Sequence, residues 1–209
     1  MVLSSFNFFQ KNLKDYPTKL TYLKDERKDK RQSLSQVYEE AQSALVFLYP
    51  YQSTKKALPK NFPLASYSMA FDEDYHYVIK NKLANLLEYL QNTFFFFFLV
   101  TIDTHPILEK DLAQRSGLGW IGKNTLLIHQ QEGSYCFIGS LILNTKLSFH
   151  QKPIVRDSCG SCRKCIDICP TDAIKDNKVL HIDQCISTFT IETFKEEMYP
   201  EGFLEGDKI

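Results

Sequence analysis

The sequence lacks any excess of charge of one sign. Its 209 residues include 25 Lys and Arg against 25 Asp and Glu, so the formal net charge is zero. A strongly basic or acidic chain would indicate an oppositely charged partner, and this composition demands none. Charge is uneven only locally, between Lys11 and Arg31, where basic residues outnumber acidic ones. That segment is predicted to be a solvated helix face.

Long hydrophobic runs and a secretory signal are also missing. The longest uncharged apolar run, Phe94 to Val100, is far shorter than the roughly 20 residues that a membrane helix needs. The run predicts a buried strand instead. Because the N-terminus carries no secretory signal, a cytoplasmic protein without a membrane anchor is expected, with reduced cysteines.

Five of the six cysteines lie close together. The run from Cys159 to Pro170 has the spacing C-x2-C-x2-C-x3-C-P, which is typical of bacterial ferredoxins that bind [4Fe–4S] clusters. In such runs the fourth cysteine serves a neighbouring cluster. A structural zinc site is the alternative, since C-x2-C is also half of a zinc site, but zinc modules usually place their two pairs well apart. The sixth cysteine, Cys136, is predicted to be a buried strand residue.

Hydrophobic periodicity predicts a mixed order of helices and strands. The predicted elements are helical, charged structure over 1–43, a strand over 44–49, a helix over 71–91, a strand over 94–100, a helix from Thr104 to about Gln114, and a hairpin of 125–129 with 135–143. In an α/β sheet, ligand-binding residues often follow the carboxyl ends of strands, and Asp103 has that position. Pattern alone nevertheless favours Asp103 as a helix cap.

A glycine-rich segment, Gly117 to Thr125, follows the last of these helices. Its three glycines predict a loop whose backbone approaches a ligand closely, and Lys123 could meet an anionic group of that ligand. The segment is neither a phosphate-binding P-loop nor a dinucleotide fingerprint, because the required Gly-Lys-Ser/Thr and strand–helix context are missing.

Several separated motifs together resemble the epoxyqueuosine reductases, cobalamin-dependent iron–sulfur enzymes of tRNA modification. They are Asp74-Tyr75-His76, the stretch from Asp103 to Glu109, the stretch from Gly117 to Leu127, the cysteine run, and Cys185-Ile186-Ser187 followed by Thr190-Ile191-Glu192. The resemblance implies electron flow from two clusters to a cobalamin that removes the epoxide oxygen of epoxyqueuosine in tRNA. An electron-donor protein or another reductant would feed the clusters, and a monomer is expected.

The resemblance also implies roles for individual residues. Asp103 would donate the proton to the opening epoxide, and burial against the corrin face would keep such an acid protonated. The implied cofactor contacts are Gly122, Lys123, Asn124, Thr125 and Ser187. The implied metal ligands are Cys159, Cys162 and Cys165 for one cluster, with Cys169 and Cys185 for the other.

The expected architecture is an α/β (α+β) cobalamin-binding reductase domain over 1–150, followed by a partial ferredoxin-like 4Fe-4S module over 151–209. The family's second C-x2-C-x3-C-P run does not occur before Ile209, which leaves both ligand sets incomplete. The hypothesis at this stage is a truncated or frameshifted reading frame. Two other functions remain open: a non-catalytic iron–sulfur electron carrier, and a reductive dehalogenase, whose usual twin-arginine signal is absent.

Overall fold

A three-stranded antiparallel sheet lies at the centre of the molecule. The computed structural model describes residues 3–51, 65–91, 98–148 and 153–193. Strand β5 (Cys136–Leu143) is the middle strand, with β1 (Ser43–Pro50) on one side and β2 (Phe98–Ile102) on the other. Most of the phenylalanine tract lies outside the described residues.

Successive residues of β5 point to opposite faces of the sheet, and both faces are covered. Leu141 and Leu143 pack on the side of helix α3 (Tyr75–Gln91), whose buried residues Ile79, Leu83 and Leu87 recur at helical spacing. Ile142 lies on the opposite face, in a second cluster with Leu3, Leu34, Ile107 and Leu112. The alternation therefore divides one strand between two cores.

The second core joins the N-terminal segment to helix α4 (Glu109–Arg115). Asp111 is buried in α4, and its carboxylate accepts hydrogen bonds from the Ser4 hydroxyl (2.7 Å) and the Ser5 amide (2.9 Å). These bonds satisfy donors at the start of helix α1 (Phe6–Asp15), which lacks a side-chain cap of its own. A short helix, α2 (Arg27–Lys30), follows before β1.

The cysteine module is small and packs against the N-terminal segment. It contains α5 (Lys164–Asp167), the paired strands β6 (Ile174–Lys175) and β7 (Val179–Leu180), and a π-helix, Thr188–Thr193. Asp183 accepts hydrogen bonds from the Thr18 hydroxyl (2.5 Å) and the Lys19 amide (3.0 Å), and the Asn12 amide donates to the Leu180 carbonyl (3.3 Å). Residues near the two ends of the described chain thus hold the module in place.

The predicted strand at 44–49 and helix at 71–91 are confirmed as β1 and α3. The predicted hairpin is wrong. Leu127–Ile128 (β4) pairs with Trp120–Ile121 (β3), whereas β5 joins the central sheet. Hydrophobicity located these strands but could not choose their partners. Within the described residues, no helix is long and apolar enough to cross a bilayer.

Leu83 tests the packing of α3 on the sheet. Its side chain is fully buried, so Leu83→Ala removes apolar contacts and leaves a cavity. We expect the free energy of unfolding to fall by about 2–5 kcal/mol, measured by urea denaturation. The matched control is Leu126→Ala at an exposed leucine, with an expected change within about 0.5 kcal/mol. Equal effects of the two substitutions would contradict this description of the core.

Candidate functional site

Asp103 follows the last residue of β2, at the edge of the sheet. Its φ of 34° lies in the left-handed region, which costs a non-glycine residue about 1–3 kcal/mol and persists only where neighbouring structure enforces it. Its side chain is 48% exposed. Asp103 is not the predicted helix cap, because α4 begins at Glu109 with Leu108 at the N-cap.

Two aromatic side chains from the start of α3 hold the Asp103 carboxylate. The Tyr75 hydroxyl donates to Oδ2 (2.5 Å), and His76 Nε2 lies 2.9 Å from Oδ1. The other ring nitrogen of His76, Nδ1, lies 2.7 Å from Asp74 Oδ1. The Tyr75 ring stacks on Phe137, with ring centroids 4.2 Å apart. The imidazole therefore bridges two carboxylates, and the phenol beside it is fixed by packing.

The surroundings of this network favour a protonated imidazole. Burial alone would lower the pKa of His76, but hydrogen bonds and charge from Asp74 and Asp103 outweigh it, so the pKa is raised above its ordinary value of 6.5. Burial and the hydrogen bond to Asp103 raise the pKa of Tyr75, so its phenol stays protonated and can donate. The network thus keeps a proton next to Asp103 near neutral pH.

A neighbouring histidine provides a direct test of this electrostatic environment. Burial, with the Lys80 charge, lowers the pKa of His105, so the rings of His76 and His105 should titrate on opposite sides of 6.5. We expect Asp74→Asn to lower the pKa of His76 and to leave that of His105 in place, as measured by NMR of the ring protons. A pKa of His76 in the wild type that is equal to or lower than the pKa of His105 would contradict the network.

The raised pKa of His76 also makes the stability of the fold depend on pH. Because the folded-state pKa of His76 is raised, its contribution to stability is fully present below about pH 6.5 and is lost as the pH rises through the folded value.

A concave surface that encloses a cavity of about 360 Å³ lies beside the network. Its lining combines acidic, basic and apolar side chains: Asp74, His76, Tyr77, Lys80, Val100, Ile102, Thr104 and His105. This volume is at the lower end of the range for small-molecule sites, about 300–1,000 Å³. It can take the reacting part of a ligand, while a larger ligand would extend over the exposed side of Asp103.

The glycines of the predicted ligand loop are explained by packing inside the β3–β4 hairpin. A Cβ atom on Gly119 would lie 2.3 Å from the Ile128 carbonyl oxygen, and one on Gly122 would lie 2.5 Å from the Ile128 Cδ1 atom. Asn124 accepts the Leu126 amide (3.2 Å), and Thr125 has a positive φ of 62°. The predicted contacts of these residues with a cofactor remain a prediction.

Lys123 connects this hairpin to the cysteine loop. Its ammonium donates to the carbonyl oxygens of Gly160 (2.8 Å) and Cys162 (2.9 Å). The anionic group expected from the sequence is thus replaced by two backbone carbonyls of the loop that carries the cysteines. Lys123 fixes the loop's position relative to the β3–β4 hairpin.

We expect Lys123→Met to weaken iron retention after anaerobic reconstitution. Outer groups that orient metal ligands typically contribute about 10- to 100-fold in metal affinity, so iron loss to a chelator should be about tenfold faster or more. Lys14→Met, at an exposed lysine of α1, is the matched control. Equal rates of iron loss in the two variants would remove Lys123 from this role.

None of the five clustered cysteines forms a disulfide; Cys162 is exposed and the other four are half-buried. Gly160, with a φ of 48°, allows a tight turn in which the Cys162 amide donates to the Cys159 carbonyl (2.9 Å). Among the residues that the structure describes, no three His, Cys, Asp or Glu side chains form a group that could hold a single metal ion.

Polar groups lie close to the sulfurs of Cys169 and Cys185. Burial would raise the pKa of Cys169, but backbone hydrogen bonds from Ile174, Thr171 and Ala173 outweigh it and lower the pKa. Cys185 Sγ lies 3.0 Å from the Ser187 hydroxyl. Donors directed at sulfur favour the thiolate and are a known way of tuning iron–sulfur clusters. The chemistry of these groups therefore fits a cluster.

The basic segment between Lys11 and Arg31 is largely engaged with its own neighbours. Arg27 pairs with Asp25, Lys30 with Glu26 (3.9 Å), and the Arg31 guanidinium donates to the Arg27 carbonyl (2.8 Å). Exposed pairs of this kind contribute little to stability. Arg31 is buried, so the prediction of a solvated face does not extend to it.

Comparison with known sequences identifies relatives for both parts of the chain. Residues 31–104 match the family described as "Epoxyqueuosine reductase QueG, DUF1730", and residues 158–208 match the "4Fe-4S double cluster binding domain". The epoxyqueuosine reductase of Cyclobacterium marinum is 35% identical over 191 residues, 91% of this chain and 60% of that protein. The Escherichia coli enzyme is 38% identical over 144 residues, 67% of this chain and 37% of that protein.

Solved structures have the same fold. Epoxyqueuosine reductase from Streptococcus thermophilus superposes with a TM-score of 0.75 at 24% identity, covering 96% of this chain and 58% of that one. A second epoxyqueuosine reductase, crystallised with an epoxyqueuosine-modified tRNA-Tyr stem loop, gives a TM-score of 0.76 at 25% identity, covering 90% of this chain and 51% of that one. The chain thus spans 60% or less of the relatives compared here.

Proposed function

The chain belongs to the epoxyqueuosine reductase family, and from that premise we propose that it reduces epoxyqueuosine in tRNA to queuosine. The observation that carries the proposal is the contact of Asp103 with His76 and Tyr75 beside a concave surface. Converting an epoxide to an alkene needs two electrons and two protons, and the oxygen leaves as water. The reaction therefore needs an acid and an electron supply in the same protein.

The acid is Asp103, which donates a proton to the epoxide oxygen as its carbon–oxygen bond breaks. A positioned general acid contributes about 10²–10⁴ in rate. His76 supplies this proton: the raised pKa keeps the imidazole protonated near neutral pH beside the Asp103 carboxylate, 2.9 Å away, which passes the proton on as the carbon–oxygen bond breaks. Asp74, 54% exposed, links that imidazole to solvent. Tyr75 orients the carboxylate by donating to its second oxygen.

The family resemblance implies that burial against a corrin face keeps the acid protonated, and that stays a prediction. On the chain alone the Asp103 side chain is 48% exposed, and His76 offers it a proton from within the protein. The Tyr75 hydroxyl cannot substitute as the acid at neutral pH, because its pKa is raised and it holds its proton.

The cysteine module supplies the electron path in this proposal. Cys159, Cys162 and Cys165 would hold one [4Fe–4S] cluster, and Cys169 with Cys185 would contribute ligands to the second. Cobalamin, when bound, would supply the reducing cobalt that removes the epoxide oxygen. A donor protein or small reductant feeds the clusters, and a tRNA substrate implies a cytoplasmic reaction.

Corrinoid binding distinguishes this function from a simple electron carrier. The reconstituted chain should retain the visible absorbance of cob(II)alamin through gel filtration, and Asp103→Asn should retain it equally, because its role is proton donation. Loss of all corrinoid from wild-type protein that holds its iron would contradict the proposed function and favour the carrier.

A further inference from the structure

Glu109 occupies an unusual place behind Asp103. It is the first residue of α4, where an ordinary glutamate would point to solvent and interact with the helix dipole. Instead, its carboxyl accepts a hydrogen bond from the backbone N–H of Asp103, six residues earlier. The other oxygen, Oε1, is buried and has no hydrogen-bond partner in the described part of the chain. A half-buried carboxyl with one buried, unpartnered oxygen calls for a specific role.

The backbone that Glu109 holds is strained. Asp103 has a φ of 34°, and the amide of the next residue, Thr104, folds back onto the Ile102 carbonyl in a tight turn. Such a conformation relaxes unless its surroundings oppose it. The Asp103 carboxylate is held by Tyr75 and His76 on one side, while Glu109 holds the backbone of the same residue on the other.

We propose that Glu109 is the positioning residue for Asp103: its carboxyl oxygen fixes the Asp103 amide, so that the Asp103 side chain stays within reach of His76 and Tyr75. Glu109 acts through Asp103 and contacts no substrate. The inference rests on the proposed function only in that Asp103 is the proton donor there. The placement of Asp103 against His76 can be measured without any catalytic assay.

The surroundings of Glu109 support a role as a hydrogen-bond acceptor over one as a fixed charge. Burial, with the nearby charge of Asp103, raises the pKa of Glu109 to about 8. The adjacent Lys110 ammonium donates to the Thr125 carbonyl (2.7 Å). Glu109 also lines a cavity of about 450 Å³ between α1, α4 and the cysteine module, and it is not among the residues that line the concave surface beside Asp103.

The test compares Glu109→Ala with Glu109→Gln, which keeps an acceptor oxygen. The primary readout is the pKa of His76, because that pKa is raised partly by Asp103. In Glu109→Ala the Asp103 carboxylate should leave His76, and the pKa should fall toward 6.5. In Glu109→Gln it should stay raised. Retention of the lowered pKa of His105 verifies that each variant is folded, and Glu88→Ala, at an exposed glutamate of α3, is the matched control.

Catalysis gives the second readout. The single-turnover rate should fall about 10- to 100-fold in Glu109→Ala, the usual cost of a misplaced reacting group, and recover to within a few-fold in Glu109→Gln. An unchanged His76 pKa in Glu109→Ala would overturn the inference. So would a fall in the His76 pKa and in the rate that is as large in Glu109→Gln as in Glu109→Ala. If the wild type reduces no epoxyqueuosine but the His76 pattern holds, the positioning role stands and the proposed function fails.

Discussion

Asp103→Asn is expected to reduce epoxyqueuosine turnover by about 10²- to 10⁴-fold, the contribution of a positioned general acid. The amide keeps the size of the side chain and can still accept from Tyr75, but it cannot donate an acidic proton. The substitution also removes the negative charge that lies beside the His76 imidazole. The pKa of His76 should therefore fall in the same variant. Both changes are measurable on one sample, by quantifying queuosine in digested tRNA and by NMR.

The controls separate chemistry from folding. Iron content and tRNA binding should be unchanged in Asp103→Asn, since Asp103 lies at the edge of the sheet and is not one of the proposed cluster ligands. Asp15→Asn, at an exposed aspartate at the end of α1, is the matched substitution and should retain wild-type turnover. Normal turnover in Asp103→Asn would exclude this residue as the acid.

Replacing Cys159, Cys162 and Cys165 together by serine is expected to remove one cluster. Serine preserves shape but is a far poorer ligand for iron than a thiolate. Iron measured after anaerobic reconstitution should fall by about four atoms per chain if one [4Fe–4S] cluster is lost. The characteristic absorbance of that cluster should be lost with the iron.

Cys136→Ser is the matched control for the thiol chemistry. Cys136 lies on β5 in the central sheet, outside the cysteine module. Its replacement should leave the iron content unchanged. Equal iron in the triple variant and the wild type would show that these three cysteines are not cluster ligands.

Local patterns predicted those parts of the fold that depend on nearby residues. The spacing of Ile79, Leu83 and Leu87 predicts α3, and the apolar run after Gln42 predicts β1, because amphipathic periodicity and continuous burial are local properties. Strand pairing is a long-range property. Leu127 and Ile128 pair with the glycine-rich segment because Gly119 allows the backbone of Ile128 to approach, a contact that hydrophobicity alone does not encode.

The candidate site was predictable in part. The position of Asp103 beyond a strand is a local property, and together with the family resemblance it predicts this residue as the acid. A single histidine near a helix start is usually structural, so local sequence does not distinguish His76 as functional. Its bond to Asp103 spans 27 residues and depends on α3 packing across the sheet from β2. The available signal is that Asp74-Tyr75-His76 and Asp103 both belong to the motifs that carry the family resemblance. For Glu109 the decisive property is its buried carboxyl oxygen, which its position inside the helix predicted from Thr104 to about Gln114 does not indicate.

Single-turnover reduction of an epoxyqueuosine-modified tRNA stem loop tests the central claim most directly. The chain would be reconstituted with iron, sulfide and cob(II)alamin, given a chemical reductant, and its RNA digested for nucleoside analysis. We expect queuosine from the wild type, and a single-turnover rate that is lower by about 10²- to 10⁴-fold in Asp103→Asn. Absence of queuosine from wild-type protein that retains both iron and corrinoid would contradict it.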